Sequence, residues 1–513
     1  MIDNMNNSNK QIKIGAIISY IAIIFNILVG FLYTPWLVKE LGSSDYGIYT
    51  LALSVISFFL MDFGISGTIS RFISIYRVEQ EEEKVANLLG ITYKLYLIID
   101  ILIFIILLFI FLNMSQIFGK LTPLEISKFK NVFLIIGGFS LISFPFMPLN
   151  GIFISYERFV SLKIFDLVYK ITTILLIVLA LSFGYGLYTL VLINAIVNIF
   201  IILIKVIYLK KNITLKINMR YKDSRLLKEI LNFSVWMTII SIAQRLIINI
   251  APSLLGVFSG SKEISIFAIG LSIEGYVWTF ANALNGLFLP KVTRLTLNNK
   301  NKISEVTSLM IKVGRLQLFI IGIIIIGLIA MGKEFIYLWM GEEFNNSYYV
   351  AVLLITPGII TLTQEIAYNY LIALNEIKYR AYDFIGTAII SLILSIIFIP
   401  KWGAVGAALS AGIGIVIGHV IIMNIIYYKV FKIDTIEFLK QCHISMCIPF
   451  ISTFIIAIII QNVFPATSLI VFFIKATLVG LVYICLMWKL GFNNSERELF
   501  TSIIFNIKNK ILG

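Results

Sequence analysis

Apolar residues along this chain come in blocks of roughly twenty, the length a helix needs to cross ~30 Å of hydrocarbon. Short polar or basic stretches separate them. The pattern predicts helices at about 14–38, 46–70, 88–113, 132–155, 163–183, 187–208, 231–256, 264–289, 308–331, 347–371, 382–400, 403–428, 443–461 and 468–488. In lipid, a helix is the only open-chain way to satisfy the backbone polar groups. The expected class is an all-α polytopic membrane protein with about 14 transmembrane helices. The polar start, MIDNMNNSNKQIK, leads into an apolar run with no small-residue cleavage site, so it reads as a retained first span rather than a signal peptide.

Composition agrees with the pattern: of 513 residues, 59% are hydrophobic and 13% charged, against about 45–50% and 25% in soluble domains. The net charge of +14 does not indicate nucleic acid, because the basic residues lie in short loops and form no separate basic domain. Cys442, Cys447 and Cys485 suggest no disulfide framework, and His419 and His443 suggest no metal constellation. No P-loop occurs, so neither ATP hydrolysis nor any cofactor is expected.

Fourteen is even, which places both termini on one side. With the N-terminus cytoplasmic, inside loops and tails hold 27 of the 41 Lys and Arg residues, and outside loops hold 7. Such a bias orients a polytopic protein with its basic loops in the cytoplasm. The chain also repeats itself. GSSDYGIYTLALSV at 42–55 aligns without a gap to GSKEISIFAIGLSI at 260–273, and Pro35/Pro252 and Gly186/Gly403 keep nearly the same offset. Six spans separate the copies, so the repeats are parallel, related by an axis along the membrane normal. The expected organisation is two six-helix lobes around a central cavity, plus two C-terminal helices. Residues 1–208 form the N-terminal lobe and 209–230 a basic cytoplasmic linker. Residues 231–428 form the C-terminal lobe, and 429–513 hold two additional spans and a cytoplasmic tail.

Four segments occur in a set order: YTPWLVKELGSSDYGIYTLALSV at 33–55, DFGISGTISRFIS at 62–74, GKEFIYLWMGEEF at 332–344 and WGAVGAALSAG at 402–412. In these the chain resembles the oligosaccharide flippases of O-antigen, capsule and exopolysaccharide pathways. Those proteins form the polysaccharide-transporter branch of the multidrug/oligosaccharidyl-lipid/polysaccharide exporter superfamily. The resemblance implies a non-enzyme of the bacterial cytoplasmic membrane. It would carry an undecaprenyl-pyrophosphate-linked oligosaccharide from the inner to the outer leaflet, for cell-surface polysaccharide such as lipopolysaccharide. It also implies membrane lipids and other polysaccharide-assembly proteins as partners. The family often has an Asp after the Arg of the seventh span; here Arg245 is followed by LIINIAPSLLG, without that acid.

Ionisable residues inside spans are costly and by default functional. The candidates for a substrate cavity are Arg245, Glu274, Arg315, Asp62 and Lys94. Arg245 and Glu274 share a depth near mid-membrane; they either neutralise each other across their lobe, or Arg245 grips the pyrophosphate with its planar fork. Asp62 reads equally as a helix-end structural bond or a substrate contact. Asp166 and Lys170, four residues apart on one helical face, predict a local ion pair. Lys205 and Lys312 lie near span ends and can snorkel, while Asp100 and Lys475 have no evident partner in sequence. Two other readings stay open. A multidrug cation exporter would need an acidic cavity, yet the basic intramembrane residues here number at least as many as the acidic ones. A membrane-embedded polymerase or ligase would need a sizeable outside loop, and the longest, about 114–131, has no His or Arg.

Overall fold

The computed structural model describes residues 2–213, 216–285, 288–298, 302–498 and 500–502. Helix accounts for 88% of the described residues, and none of them forms a strand. The expected all-α polytopic fold is the one observed. Many helices are built inside out, as lipid requires. In Glu82–Leu112 the buried face carries Tyr96, Ile103 and Leu107, while Ile98, Ile101, Ile105 and Phe109 are exposed.

Among the described residues ten helices are long and apolar enough to cross a membrane, eleven if the bent stretch from Ser224 to Asn249 counts as one. Two features account for part of the difference from the expected fourteen. The run Lys378–Lys429 is continuous helix by hydrogen bonding, but its chain reverses: Pro400 interrupts it and Gly403 takes φ 52°, a left-handed conformation that only glycine adopts at little cost. Beyond this turn the two arms pack on each other, Gly406 against the Phe398 backbone and Gly414 against Ser391. The Glu263 carboxylate accepts from the Ala404 N–H at 2.7 Å and holds the turn. The second feature is a broken helix. Ser43–Phe59 and Ile65–Val78, of 17 and 14 residues, are each too short to cross alone.

The chain falls into two compact units, one of Met1–Ala268 with Arg380–Gly414, the other of Ile269–Tyr379 with Ile415–Gly513. In the first, Ser43–Phe59 packs on Pro123–Ser143, and Phe159–Ser182 lies between Leu187–Asn212 and the first helix, Ile2–Leu41. In the second, the 39-residue helix Lys302–Met340 is the hub, in contact with Glu365–Ala373, Cys447–Val463 and Leu469–Leu486.

Two buried ion pairs fasten the last helices to that hub. Arg315 directs Nε and Nη2 to Glu496 at 2.5 and 2.8 Å, Nη2 also to the Gly491 carbonyl at 2.6 Å, and Nη1 to the Gln441 carbonyl and the Ser445 hydroxyl. Nineteen residues on, about 28 Å along the helix, Glu334 accepts from Lys475 at 2.7 Å and from the Ala466 N–H at 2.6 Å. Lys475 also reaches Gln461 at 3.0 Å. The span charge without an evident partner in sequence therefore has one, in GKEFIYLWM. Removing one half of a buried pair leaves an uncompensated charge, at a cost of about 3–5 kcal/mol. Lys475→Met should therefore lower the unfolding free energy of the purified protein by about 3 kcal/mol. Adding Glu334→Gln, which keeps an acceptor for Ala466, should restore at least half; a double variant as unstable as the single would contradict this account.

Candidate functional site

The break between Ser43–Phe59 and Ile65–Val78 has more than a dozen helical residues on either side. Phe63 and Gly64 take φ 51° and 68°, left-handed values that end one helix and start another at an angle. The carbonyls at the end of the first half have lost their intrahelical partners and need others. One comes from Arg245, whose Nη1 donates to the Ser57 carbonyl. Two turns earlier on the same stretch, Thr238 Oγ1 donates to the Phe63 carbonyl at 2.6 Å. The start of the second half is capped by Asp62. Its Oδ1 accepts from the Ser66 N–H at 3.2 Å, the Ser66 hydroxyl at 2.5 Å and the Tyr96 hydroxyl at 3.1 Å. An acceptor there satisfies orphan N–H groups and complements the positive end of the helix dipole.

Arg245 owes its position to a local irregularity. The chain widens into a π turn over Arg245–Asn249, in which the Ile250 N–H reaches back to the Arg245 carbonyl at 2.9 Å. Pro252 follows and has no N–H to continue the regular ladder. Arg245 is half-buried, and its remaining N–H groups make no hydrogen bond among the described residues. From this turn outward, small and hydroxyl residues let the backbones approach closely. Ser54 Oγ donates to the Asn249 carbonyl at 2.5 Å and lies 3.2 Å from Ser253 Oγ. Gly256 packs on Leu51 and Gly47 on the Ser261 backbone. At the end of this seam Glu125 Oε1 accepts from Ser44 at 2.7 Å and from Ser261, and Lys128 bridges to Asp45 at 2.6 Å beside it.

The structure brings Asp62 and Arg245 to the same broken segment. Lys94 lies one helix away and donates to the Tyr221 carbonyl, in the stretch between Leu187–Asn212 and Ser224–Gln244. There Asn218 bonds Asn87 at 2.7 Å and the Ala86 carbonyl at 3.0 Å. Glu274 and Arg315 belong to the second unit. Glu274 is buried, accepts from the Trp278 indole one turn on, and pairs with no Lys or Arg of its unit among the described residues. Arg315 has every donor engaged in the network described above. Asp100 is half-buried, with Oδ1 unsatisfied. The expected Asp166–Lys170 pair is replaced: Asp166 Oδ1 pairs with Lys205 at 3.1 Å, because the neighbouring helix brings a second ammonium to it. Thr238 and Tyr96 were missed in sequence. Thr238 stands seven residues before Arg245, on the same face, which is the one signal that could have singled it out.

Residues 12–295 match the family described as "Polysaccharide biosynthesis protein". The chain belongs to this family. A curated relative, the probable low-salt glycan biosynthesis flippase Agl15 of Haloferax volcanii, is 21% identical over 201 residues, 39% of this chain and 42% of the relative. The match thus spans less than half of the relative's length. Among solved structures, the lipid II flippase MurJ in an inward closed conformation is similar with TM-score 0.67 and 16% identity, over 91% of this chain and 97% of that one. A multidrug-resistance MATE family transporter of the MOP superfamily, in an inward-facing conformation, gives TM-score 0.63 and 14% identity, over 79% and 96%. At these identities the likeness is one of fold.

Two glycines of DFGISGT test the broken segment. A Cβ on Gly64 would stand 2.8 Å from Met237 Cβ at a left-handed φ, whereas one on Gly67, inside the helix, meets nothing within 4 Å. Gly64→Ala should destabilise the protein by about 1–3 kcal/mol. Gly67→Ala should be neutral or stabilising by up to about 1 kcal/mol. Thermal unfolding of both purified variants checks this, and equal melting would show that the break is not a defined conformation.

Proposed function

We propose that this protein is a flippase of the bacterial cytoplasmic membrane. It carries an undecaprenyl-pyrophosphate-linked oligosaccharide from the inner to the outer leaflet by alternating access, for cell-surface polysaccharide biosynthesis. It performs no covalent chemistry. The observation that carries the reading is the broken segment with Arg245 beside it, one N–H used on Ser57 and the rest of its fork open to an anion. Irregular backbone at membrane depth is tolerated where it lines a cavity, and transporters commonly place their sites at such breaks. Membership of the polysaccharide biosynthesis family supports the glycan. The MurJ-like fold and the flippase relative support a lipid-linked substrate.

In this reading the chain has fourteen spans with both termini in the cytoplasm, and residues 1–208 and 231–428 act as two lobes joined by the basic linker. Arg, permanently charged and planar, suits bidentate contact with phosphate. The membrane potential drives an anion outward, contributing about 2.3 kcal/mol per charge per 100 mV. Loss of the gene should make lipid-linked glycan accumulate on the cytoplasmic face, because assembly continues while export stops. Normal surface display, in cells with no second exporter, would refute the assignment.

A substitution series separates binding from scaffolding at Arg245. If its fork grips the pyrophosphate, Arg245→Lys keeps the charge yet exports poorly. Arg245→Ala is worse, by about tenfold to a hundredfold, and Glu274→Gln is milder. If Arg245 only neutralises Glu274, the double change Arg245→Ala with Glu274→Ala recovers export, since removing both halves of a buried pair costs less than removing one. Glycan export in the double variant, normalised to protein abundance in the membrane, decides between them.

A further inference from the structure

A group of lysines lines a second cavity region of the first unit, on helices other than the broken segment. The first helix and Phe159–Ser182 border an open cleft of about 240 Å³, lined by Asn26, Lys163, Asp166 and Lys170 among others. Lys163, Asp166 and Lys170 follow at i, i+3 and i+7, so they share one face of their helix. Asp166 is engaged by Lys205, which also reaches Asn150 at 3.4 Å. That leaves Lys163 and Lys170 with neither an ion pair nor a side-chain hydrogen bond among the described residues. Both are half-buried, and across the cavity the buried Asn26 Oδ1 makes no hydrogen bond.

Unpaired ammonium groups within an apolar crossing are costly to keep. Here the local acid is present but committed elsewhere, so three lysines face one carboxylate. The two free lysines are about 10 Å apart along the helix, and their flexible stems can converge as point charges on one anion. The Asn26 amide, turned end for end, supplies an N–H donor to the same anion, or an acceptor to a hydroxyl beside it.

We propose that Lys163, Lys170 and Asn26 form a binding site for the phosphate or pyrophosphate ester of a membrane lipid. The site deepens the flippase reading and rests on it for the identity of the lipid. In the proposed topology it lies toward the cytoplasmic end of the fifth span, where such a headgroup is presented before export.

The test uses the full chain in nanodiscs of zwitterionic lipid, titrated with polyprenyl pyrophosphate, uncharged polyprenol and inorganic pyrophosphate, with binding followed by native mass spectrometry. The parent should prefer polyprenyl pyrophosphate to polyprenol. Lys163→Gln with Lys170→Gln should weaken that binding about tenfold, and Lys163→Arg with Lys170→Arg should hold it within about twofold. Thermal melting verifies that the variants are folded. If the double Gln variant melts early, Lys170→Gln alone is read against Lys170→Arg. A folded Gln variant that binds like the parent overturns the site and leaves the flippase reading intact. An Arg variant that loses as much as the Gln variant also overturns it, since charge would then not be what binds. Inorganic pyrophosphate bound as well as the lipid makes a free anion, not a lipid, the ligand. A parent with no preference for the pyrophosphate lipid over polyprenol and no affinity for pyrophosphate defeats the functional reading itself.

Discussion

Every backbone N–H and C=O in the hydrocarbon layer must find a partner inside the protein, and that constraint explains where this fold spends its polar side chains. Most crossings meet it with unbroken helix. The crossing that stops at residues 60–64 cannot, and the side chains around it supply what the helix no longer does: Arg245 to Ser57, Thr238 to Phe63, Asp62 to Ser66. A break that needs that many external partners is not a passive defect. It persists only where the surrounding structure over-determines it, and the π turn at 245–249 is the matching irregularity on the opposite helix.

The two units use different adhesives. In the second, charged groups removed from water join the last helices to Lys302–Met340 at two points about one bilayer thickness apart. An ion pair of that burial is specific and strongly resists being half-opened. In the first unit, the seam from Ser54 to Ser261 consists mainly of hydroxyls, glycines and one carboxylate shared by two serines, with the more exposed Lys128–Asp45 pair beside it. Hydrogen bonds of this kind between membrane helices contribute about 0.6–2 kcal/mol each. The terminal helices are thus fastened to the hub, while the seam is made of contacts that can be exchanged one at a time. The alternating access proposed for this protein would need both kinds.

Much of the fold was legible because lipid imposes one length scale. Blocks of roughly twenty apolar residues announce helices without any knowledge of their neighbours. The break at 60–64 was less legible, since DFGISG reads as part of a continuous apolar run until Phe63 and Gly64 are seen at positive φ. Charge partners were the least legible. Lys475 and Glu334 stand 141 residues apart and Arg315 and Glu496 stand 181 apart, and nothing local records such pairings. The local rule even misled. The i, i+4 spacing of Asp166 and Lys170 suggested a pair, but Lys205, 39 residues on, takes the carboxylate. Helical spacing says which side chains are near each other along one helix and is silent about what the next helix brings.

That displacement bears on the proposed export. An exporter's site must hold its anion firmly enough to collect it and loosely enough to release it, so saturating every phosphate oxygen with preorganised donors would be counterproductive. Arg245 has already given one N–H to Ser57, so in the proposed role it would offer a phosphate less than the full fork. Lys163 and Lys170 are point charges on flexible stems, without the planar geometry that makes an arginine contact rigid. Arg315, whose donors are all engaged, shows what a fully committed guanidinium does in this protein: it fixes structure. The cations suited to a transient ligand are those whose partners are incomplete, and in the first unit the incompleteness arises because Lys205 satisfies the acid that would otherwise have quenched Lys170.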